Sequence, residues 1–185
     1  KLKLLADQSM LCGGYAPTKC TYRVSGPTNL KRVAAIKLEL LNDPNLPCNG
    51  PGRSFKGTCA LTELRVEAAA ADKPGERSGV KIAAAYADFA QAQASLEPNF
   101  DDRSGKKRII GPVAFAVDGK DETAWTIDAG PGRRNQPREA IFVFEKPVDF
   151  EAGVAITVHL AQNHGGWNSD DHPHNLLDPF RVSAP

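Results

Sequence analysis

Hydrophobic and polar residues alternate along several short segments of the chain, which is the pattern of half-buried β-strands. In the segment 33–40, Ile36, Leu38 and Leu40 face one way and the charged residues between them face the other. The same reasoning predicts strands at 21–24, 59–66, 141–144, 155–160 and 180–183. The stretch 83–96, rich in Ala and Gln, is helix-like instead. Short strands joined by long loops predict an all-β fold, and we expect residues 1–185 to form one jelly-roll-like β-sandwich domain.

Two parts of the chain echo each other. The alternating segment 35–40 is followed, after a long loop, by Leu64-Arg65-Val66-Glu67-Ala68. The alternating segment 155–160 is followed in the same way by Phe180-Arg181-Val182-Ser183-Ala184. We expect two equivalent hairpins whose wide loops carry the function. The alternative is the alternation that any antiparallel pair shows.

Composition and charge exclude some partners. The 185 residues include 23 Lys and Arg against 22 Asp and Glu, a formal charge of +1. Such a balanced surface gives no electrostatic reason to expect nucleic acid or anionic membranes as partners. No apolar run approaches the ~20 residues of a membrane span, so we expect no membrane insertion. The chain begins Lys-Leu-Lys without a signal-peptide pattern, and we expect it to be a domain excised from a longer protein.

Four cysteines, at positions 12, 20, 48 and 59, suit two local disulfides, Cys12–Cys20 and Cys48–Cys59. Four cysteines allow three connectivities, and the sequence does not choose among them. The competing interpretation is four buried free thiols. Bridges would indicate an oxidising, extracytoplasmic compartment: periplasm, cell surface or secretion.

The sharpest local motif is Val117-Asp118-Gly119-Lys120-Asp121-Glu122-Thr123-Ala124-Trp125. Asp-Gly favours a tight turn, and Asp118, Asp121 and Thr123 place oxygens around it, as Ca²⁺ requires. The segment resembles the Ala-x-Asp-Gly-x-x-x-Thr-x-Trp motif of galactose-binding-like, discoidin-type β-sandwiches. That resemblance implies a structural calcium, with Glu63 as the carboxylate from a neighbouring strand, although the order of the two segments is permuted here. The alternative is a surface turn and a core Trp125 without metal.

A longer series of motifs spans nearly the whole chain, of which Gly50-Pro51-Gly52-Arg53-Ser54 with Leu61-Thr62-Glu63-Leu64 is the most specific part. The series resembles the β-rich module of large exported planctomycete-type proteins, which combine cytochrome c-like domains with domains of unknown function. The resemblance implies an extracytoplasmic location and a non-catalytic binding role. The cysteines and the His- and Asp-rich final loop depart from that pattern.

The densest polar cluster lies in the final loop, 163–175. A sugar could stack on Trp167 while His164, Asp170 and Asp171 bind its hydroxyls, and Arg53 on the equivalent loop of the first half could line the same edge. Two alternatives are a transition-metal site built on His172, His174 and a neighbouring Asp, and a solvated loop whose Trp is buried.

Enzyme motifs are missing from the sequence. It contains no Gly-x-Ser-x-Gly, no phosphate-binding loop and no His-Glu-x-x-His, and its acidic residues nominate no catalytic pair. We therefore expect a non-catalytic module that binds carbohydrate. The alternative is a structural domain that docks against neighbouring redox or hydrolytic domains of its parent chain.

Overall fold

A computed structural model describes residues 1–167 and 174–185. Within them the chain is all-β, and its helices are short 3-10 turns at Pro47–Asn49, Pro98–Phe100 and Val113–Val117. The strands are β1 (Leu2–Leu4), β2 (Met10–Cys12), β3 (Cys20–Pro27), β4 (Arg32–Leu40), β5 (Ala60–Leu61), β6 (Glu63–Ala70), β7 (Ser78–Val80), β8 (Ile82–Ala87), β9 (Ala94–Ser95), β10 (Ile109–Gly111), β11 (Thr123–Thr126), β12 (Arg138–Asp149), β13 (Val154–Gln162) and β14 (Phe180–Ser183). None of the described residues belongs to a helix of the length and apolarity that crossing a membrane requires.

The strands form three sheets. A six-stranded sheet has the order β1-β2-β14-β4-β12-β8, and a four-stranded sheet has the order β3-β13-β6-β7; both are antiparallel throughout. A second four-stranded sheet, β5-β11-β10-β9, contains the parallel pair β10–β11.

The first two sheets contribute to one hydrophobic core. Leu38 and Phe142 from the six-stranded sheet belong to the same buried cluster as Leu64 and Val158 from the sheet β3-β13-β6-β7. Trp125 on β11 joins this cluster and is 1% exposed, as its place in the Asp-Gly motif predicts. Because side chains alternate along a strand, the residues between these core positions lie on the outer faces of the sheets.

The two echoing units are not hairpins, because each unit places its strands in different sheets. β4 and β14 pair in the six-stranded sheet, whereas β13 and β6 pair in the other, so the units exchange their second strands. The register is the same in both pairs: Arg181 is opposite Glu39, and Arg65 is opposite His159. The two repeated segments therefore form strand pairs of the same register, but the expectation that each unit pairs with itself as a hairpin is wrong.

Most strand predictions are confirmed. The segments 21–24, 33–40, 141–144, 155–160 and 180–183 each lie in one strand, and 59–66 is divided between β5 and β6. The helix-like interpretation of 83–96 is wrong, since the stretch begins in β8, which pairs with β12, and ends in β9. Alanine is accommodated in a strand when the adjacent strands supply the hydrogen bonds, so the Ala-rich composition of this stretch did not predict its structure.

The described cysteines are all free, so neither expected disulfide is formed. Cys48 is exposed and its thiol lies 3.8 Å from the Phe55 carbonyl oxygen, whereas Cys59 is buried in the core. The Cys12 thiol lies 3.9 Å from the Leu177 oxygen, and the Cys20 sulfur lies 3.6 Å from Gln162 Nε2. Without these disulfides, the cysteines give no support for an oxidising compartment.

Candidate functional site

A groove of about 640 Å³ lies along the sheet β3-β13-β6-β7. β7 pairs with β6 only from Val66 to Ala68, so the edge of β6 from Glu63 to Arg65 is not covered by β7. The groove extends along this uncovered edge. Its polar lining combines three carboxylates, two cations, an imidazole and an amide: Glu63, Glu67, Asp121, Arg65, Lys81, His159 and Asn163. The groove therefore presents charged and hydrogen-bonding side chains beside apolar ones, and it is large enough for part of an extended ligand.

The groove's carboxylates already have partners within the protein. Glu67 Oε2 lies 3.1 Å from His159 Nε2, and this hydrogen bond holds the pKa of Glu67 below its usual range. Asp121 Oδ1 accepts a hydrogen bond of 3.2 Å from Asn163 Nδ2. Glu63 Oε2 accepts one of 3.0 Å from the main-chain N–H of Gly119.

The groove's two cations, unlike its carboxylates, lack hydrogen-bonded partners among the described residues. The side chains of Arg65 and Lys81 make no hydrogen bond or ion pair with any described residue, and both residues are exposed. Sequence reasoning did not single them out. Arg65 could have been found from the alternation in β6. It lies between the apolar residues Leu64 and Val66, so its side chain is expected on the outer face of the sheet.

The Asp-Gly turn lies beside the groove, to which it contributes Asp121, and it is stabilised by hydrogen bonds within the turn itself. Gly119 has φ 77°, a conformation that glycine adopts without strain. Asp118 accepts hydrogen bonds of 2.9 Å from the Thr123 hydroxyl and 3.0 Å from the N–H of Lys120. Among the described residues no group of three His, Cys, Asp or Glu is arranged to hold a metal ion.

The predicted calcium ligands are thus only partly assembled. Glu63 reaches the turn through Gly119, and Asp118 contacts Thr123, but Asp121 is directed to Asn163. Burial raises the pKa of Glu63, the bond from Gly119 and the charge of Arg65 oppose the rise, and the charges of Asp118 and Asp121 add to it. A cation here would relieve that repulsion, after the turn's internal hydrogen bonds had rearranged.

His164 lies inside the protein, where a ligand would not reach it. The residue is 1% exposed, and its Nε2 lies 3.2 Å from the main-chain oxygen of Asp121. Its Nδ1 has no hydrogen-bond partner in the described part of the chain. Burial, assisted by the charge of Arg108, lowers the pKa of His164 to about 4, so the ring is neutral at pH 7.

Arg53 also makes its hydrogen bonds within the protein. Its Nη1 donates to the Cys12 oxygen at 2.7 Å and to Asp178 Oδ2 at 3.2 Å, and its Nη2 donates to the Gly14 oxygen at 3.3 Å. These bonds use the guanidinium to join two separate parts of the chain. The donors of Arg53 are therefore used within the protein itself.

Trp167 is the predicted ligand residue that does face solvent. It is 52% exposed, and the Arg103 guanidinium carbon lies 3.8 Å from its ring centroid. Arg103 has φ 57°, a strained conformation for a side-chain-bearing residue. The remaining predicted ligand residues, Asp170 and Asp171, and His172 of the alternative metal site lie outside the described residues.

The loop that presents Arg103 is built around Asp102, whose side chain is 4% exposed. Burial would raise the pKa of Asp102, but hydrogen bonds from Lys19, Ser104 and Arg108 hold it well below its usual range. The carboxylate therefore stays charged and keeps these groups together. Arg103 follows Asp102 directly in this loop.

The groove and the exposed indole ring lie close along the chain. Asn163 lines the groove, and Trp167 follows four residues later. No protein family, no curated protein and no solved structure matches this chain. The chemistry of the groove and of Trp167 is thus the basis for assigning a function.

Proposed function

We propose that this chain is a non-catalytic binding module whose ligand is carbohydrate. The observation that carries the proposal is the exposed ring of Trp167, which contacts the Arg103 guanidinium and follows Asn163 of the groove by four residues. Sugars have C–H faces that pack on aromatic rings and hydroxyls that need polar partners. The indole supplies the first surface, and the groove residues supply the second.

The finer fold assignment belongs to the same proposal. Two antiparallel sheets contribute to one core, and the Asp-Gly turn leads into the buried Trp125, which supports a galactose-binding-like jelly roll. The proposal includes a structural calcium at the turn, held by Asp118 and Glu63 with Asp121 and Thr123. It also includes an exported, multidomain parent protein, for which the resemblance to planctomycete-type modules is now the support.

The test is binding to a panel of immobilised polysaccharides by the wild-type chain and by Trp167→Ala. The variant should bind about tenfold more weakly, because stacking on an aromatic ring contributes ~1–3 kcal/mol. Its melting temperature should stay close to that of the wild type, since a half-exposed ring adds little to stability.

Tyr86→Ala is the matched control. Tyr86 is another exposed aromatic residue, 65% exposed, and lies on β8 in the other sheet. The control should bind as the wild type does. The proposal fails if no polysaccharide binds the wild-type chain, or if Trp167→Ala and Tyr86→Ala bind equally well.

A second candidate is the docking domain, favoured by a second groove of about 410 Å³. Most of the residues that line this groove are of apolar types, and two of them, Leu4 and Leu30, are 65% and 43% exposed. A neighbouring domain of the same parent chain would bury these side chains. Under this candidate, Leu4→Ser weakens binding to that domain in trans, and Trp167→Ala has no effect on it.

A further inference from the structure

The internal echo identifies an arginine that lacks the partner its counterpart has. Arg181 on β14 lies opposite Glu39 on β4, and the two side chains form hydrogen bonds of 2.7 and 2.9 Å. Arg65 occupies the same position on β6, where its cross-strand neighbour is His159. His159 contacts Glu67 instead, so Arg65 has no carboxylate in the position where Arg181 has one.

The same imbalance extends along the groove. Each of its three carboxylates accepts a hydrogen bond from the protein, whereas Arg65 and Lys81 donate none to the described residues. Arg23, the other cross-strand neighbour of His159, is exposed and also has no bonded partner in the described part of the chain. The groove therefore contains two cations without a hydrogen-bonded partner, whereas each of its carboxylates has one.

We infer that the groove binds the carboxylate groups of an acidic polysaccharide, such as one built from uronic acids. This inference rests on the proposed carbohydrate function and names its ligand class. A guanidinium donates two parallel hydrogen bonds to a carboxylate, which is the geometry Arg181 already makes with Glu39. Arg65 would make the equivalent pair with the ligand, and Lys81 would bind an adjacent carboxylate.

The experiment compares polygalacturonate with the same polymer after full methyl esterification. The two differ in charge and keep the same sugar backbone, so the difference in affinity measures the carboxylate. The wild-type chain should bind polygalacturonate at least tenfold more tightly, and added salt should reduce the difference. Arg65→Gln should lower the affinity for polygalacturonate about tenfold, because it removes charge-assisted hydrogen bonds to the carboxylate, and should lower the affinity for the ester by a clearly smaller factor.

Arg32→Gln is the control for net charge. Arg32 is an exposed arginine on β4 whose ion pair with Asp149 is also exposed, so its loss changes the charge equally without touching the groove. This control should retain wild-type affinity. If Arg65→Gln and Arg32→Gln behave alike, the groove is not the carboxylate site and the inference is wrong.

The remaining outcomes separate this inference from the proposed function. Binding of neutral polysaccharides with no preference for polygalacturonate overturns the acidic ligand and leaves the carbohydrate function standing. Absence of binding to every polysaccharide overturns both. Poly-L-glutamate tests for an acidic peptide: equal affinity for it and for polygalacturonate would show that the groove recognises charge alone, which also overturns the inference.

Discussion

Arg53 and Asp178 form an ion pair that lies largely inside the protein, with side chains 21% and 1% exposed and Nη1 and Oδ2 3.2 Å apart. Asp178 Oδ1 also accepts a hydrogen bond of 2.8 Å from the N–H of Cys12. Burial raises the pKa of Asp178, and the bonds from Cys12 and Arg53 oppose that rise. The pair thus connects the N-terminal strands, the Gly-Pro-Gly loop and the last loop.

Replacing Arg53 with Gln should lower the free energy of unfolding by about 3 kcal/mol, because it leaves a buried carboxylate without its cation. Urea unfolding measures the change. The double variant Arg53→Gln/Asp178→Asn should recover part of the loss, since an amide oxygen still accepts from Cys12. An Arg53→Gln chain that keeps wild-type stability and loses polysaccharide binding would instead place Arg53 on the ligand surface.

The stability of the chain should fall as the pH decreases from 6.5 toward 4. His164 has a pKa of about 4 in the folded state against an ordinary value of 6.5, so the unfolded state binds the extra proton in this window. Urea unfolding at several pH values should show this slope for the wild type and a flatter one for His164→Gln. His159→Gln, at a surface position, is the control, and identical slopes in all three proteins would contradict the buried, neutral assignment.

Thiol reactivity should differ sharply among the four cysteines. Cys48 is exposed, whereas burial raises the pKa of Cys12 and Cys59 to about 12 and also raises that of Cys20. A chromogenic disulfide reagent at pH 8 should therefore titrate one thiol quickly and the other three only after unfolding. Cys48→Ser should remove the fast phase, and fewer than four thiols in denaturant without reductant would reveal a bridge.

Asp118→Ala should lower the free energy of unfolding by about 1 kcal/mol, because it removes the acceptor of the Lys120 and Thr123 hydrogen bonds. Asp118→Asn retains an acceptor oxygen and should keep more of this stability. If calcium binds the turn, thermal melts should show that excess calcium stabilises the wild type and neither variant. Superimposable wild-type melts in calcium and in chelator would remove calcium from the proposal and leave the turn.

The strands were accessible from the sequence where large apolar residues alternate with charges, as at Ile36, Leu38 and Leu40. The pattern carries no information about pairing, however, since β4 and β13 have the same alternation and either could accept β6 or β14. The alanines of 83–96 favour a helix by propensity, but pairing with neighbouring strands places the segment in β8 and β9, and composition carries no information about that pairing.

The site was harder to predict than the fold. Polar sequence neighbours placed His164 and Arg53 at the surface, yet both lie where internal hydrogen bonds hold them. The contact between Arg103 and Trp167 joins residues far apart in the chain, which single-sequence patterns do not reveal. Trp167 was identified because its neighbours in the chain offer no apolar partner.

The exchange of strands between the two units decides when folding can finish. Arg181 and Glu39, at the centre of one sheet, are 142 residues apart along the chain, so a very long loop must close before that pair of strands forms. A growing chain on the ribosome has neither central pair until β13 has emerged, and lacks the second until β14 follows. A protease cut within the exposed segment 103–107 would leave one strand of each central pair on either fragment, so that neither fragment would fold without the other.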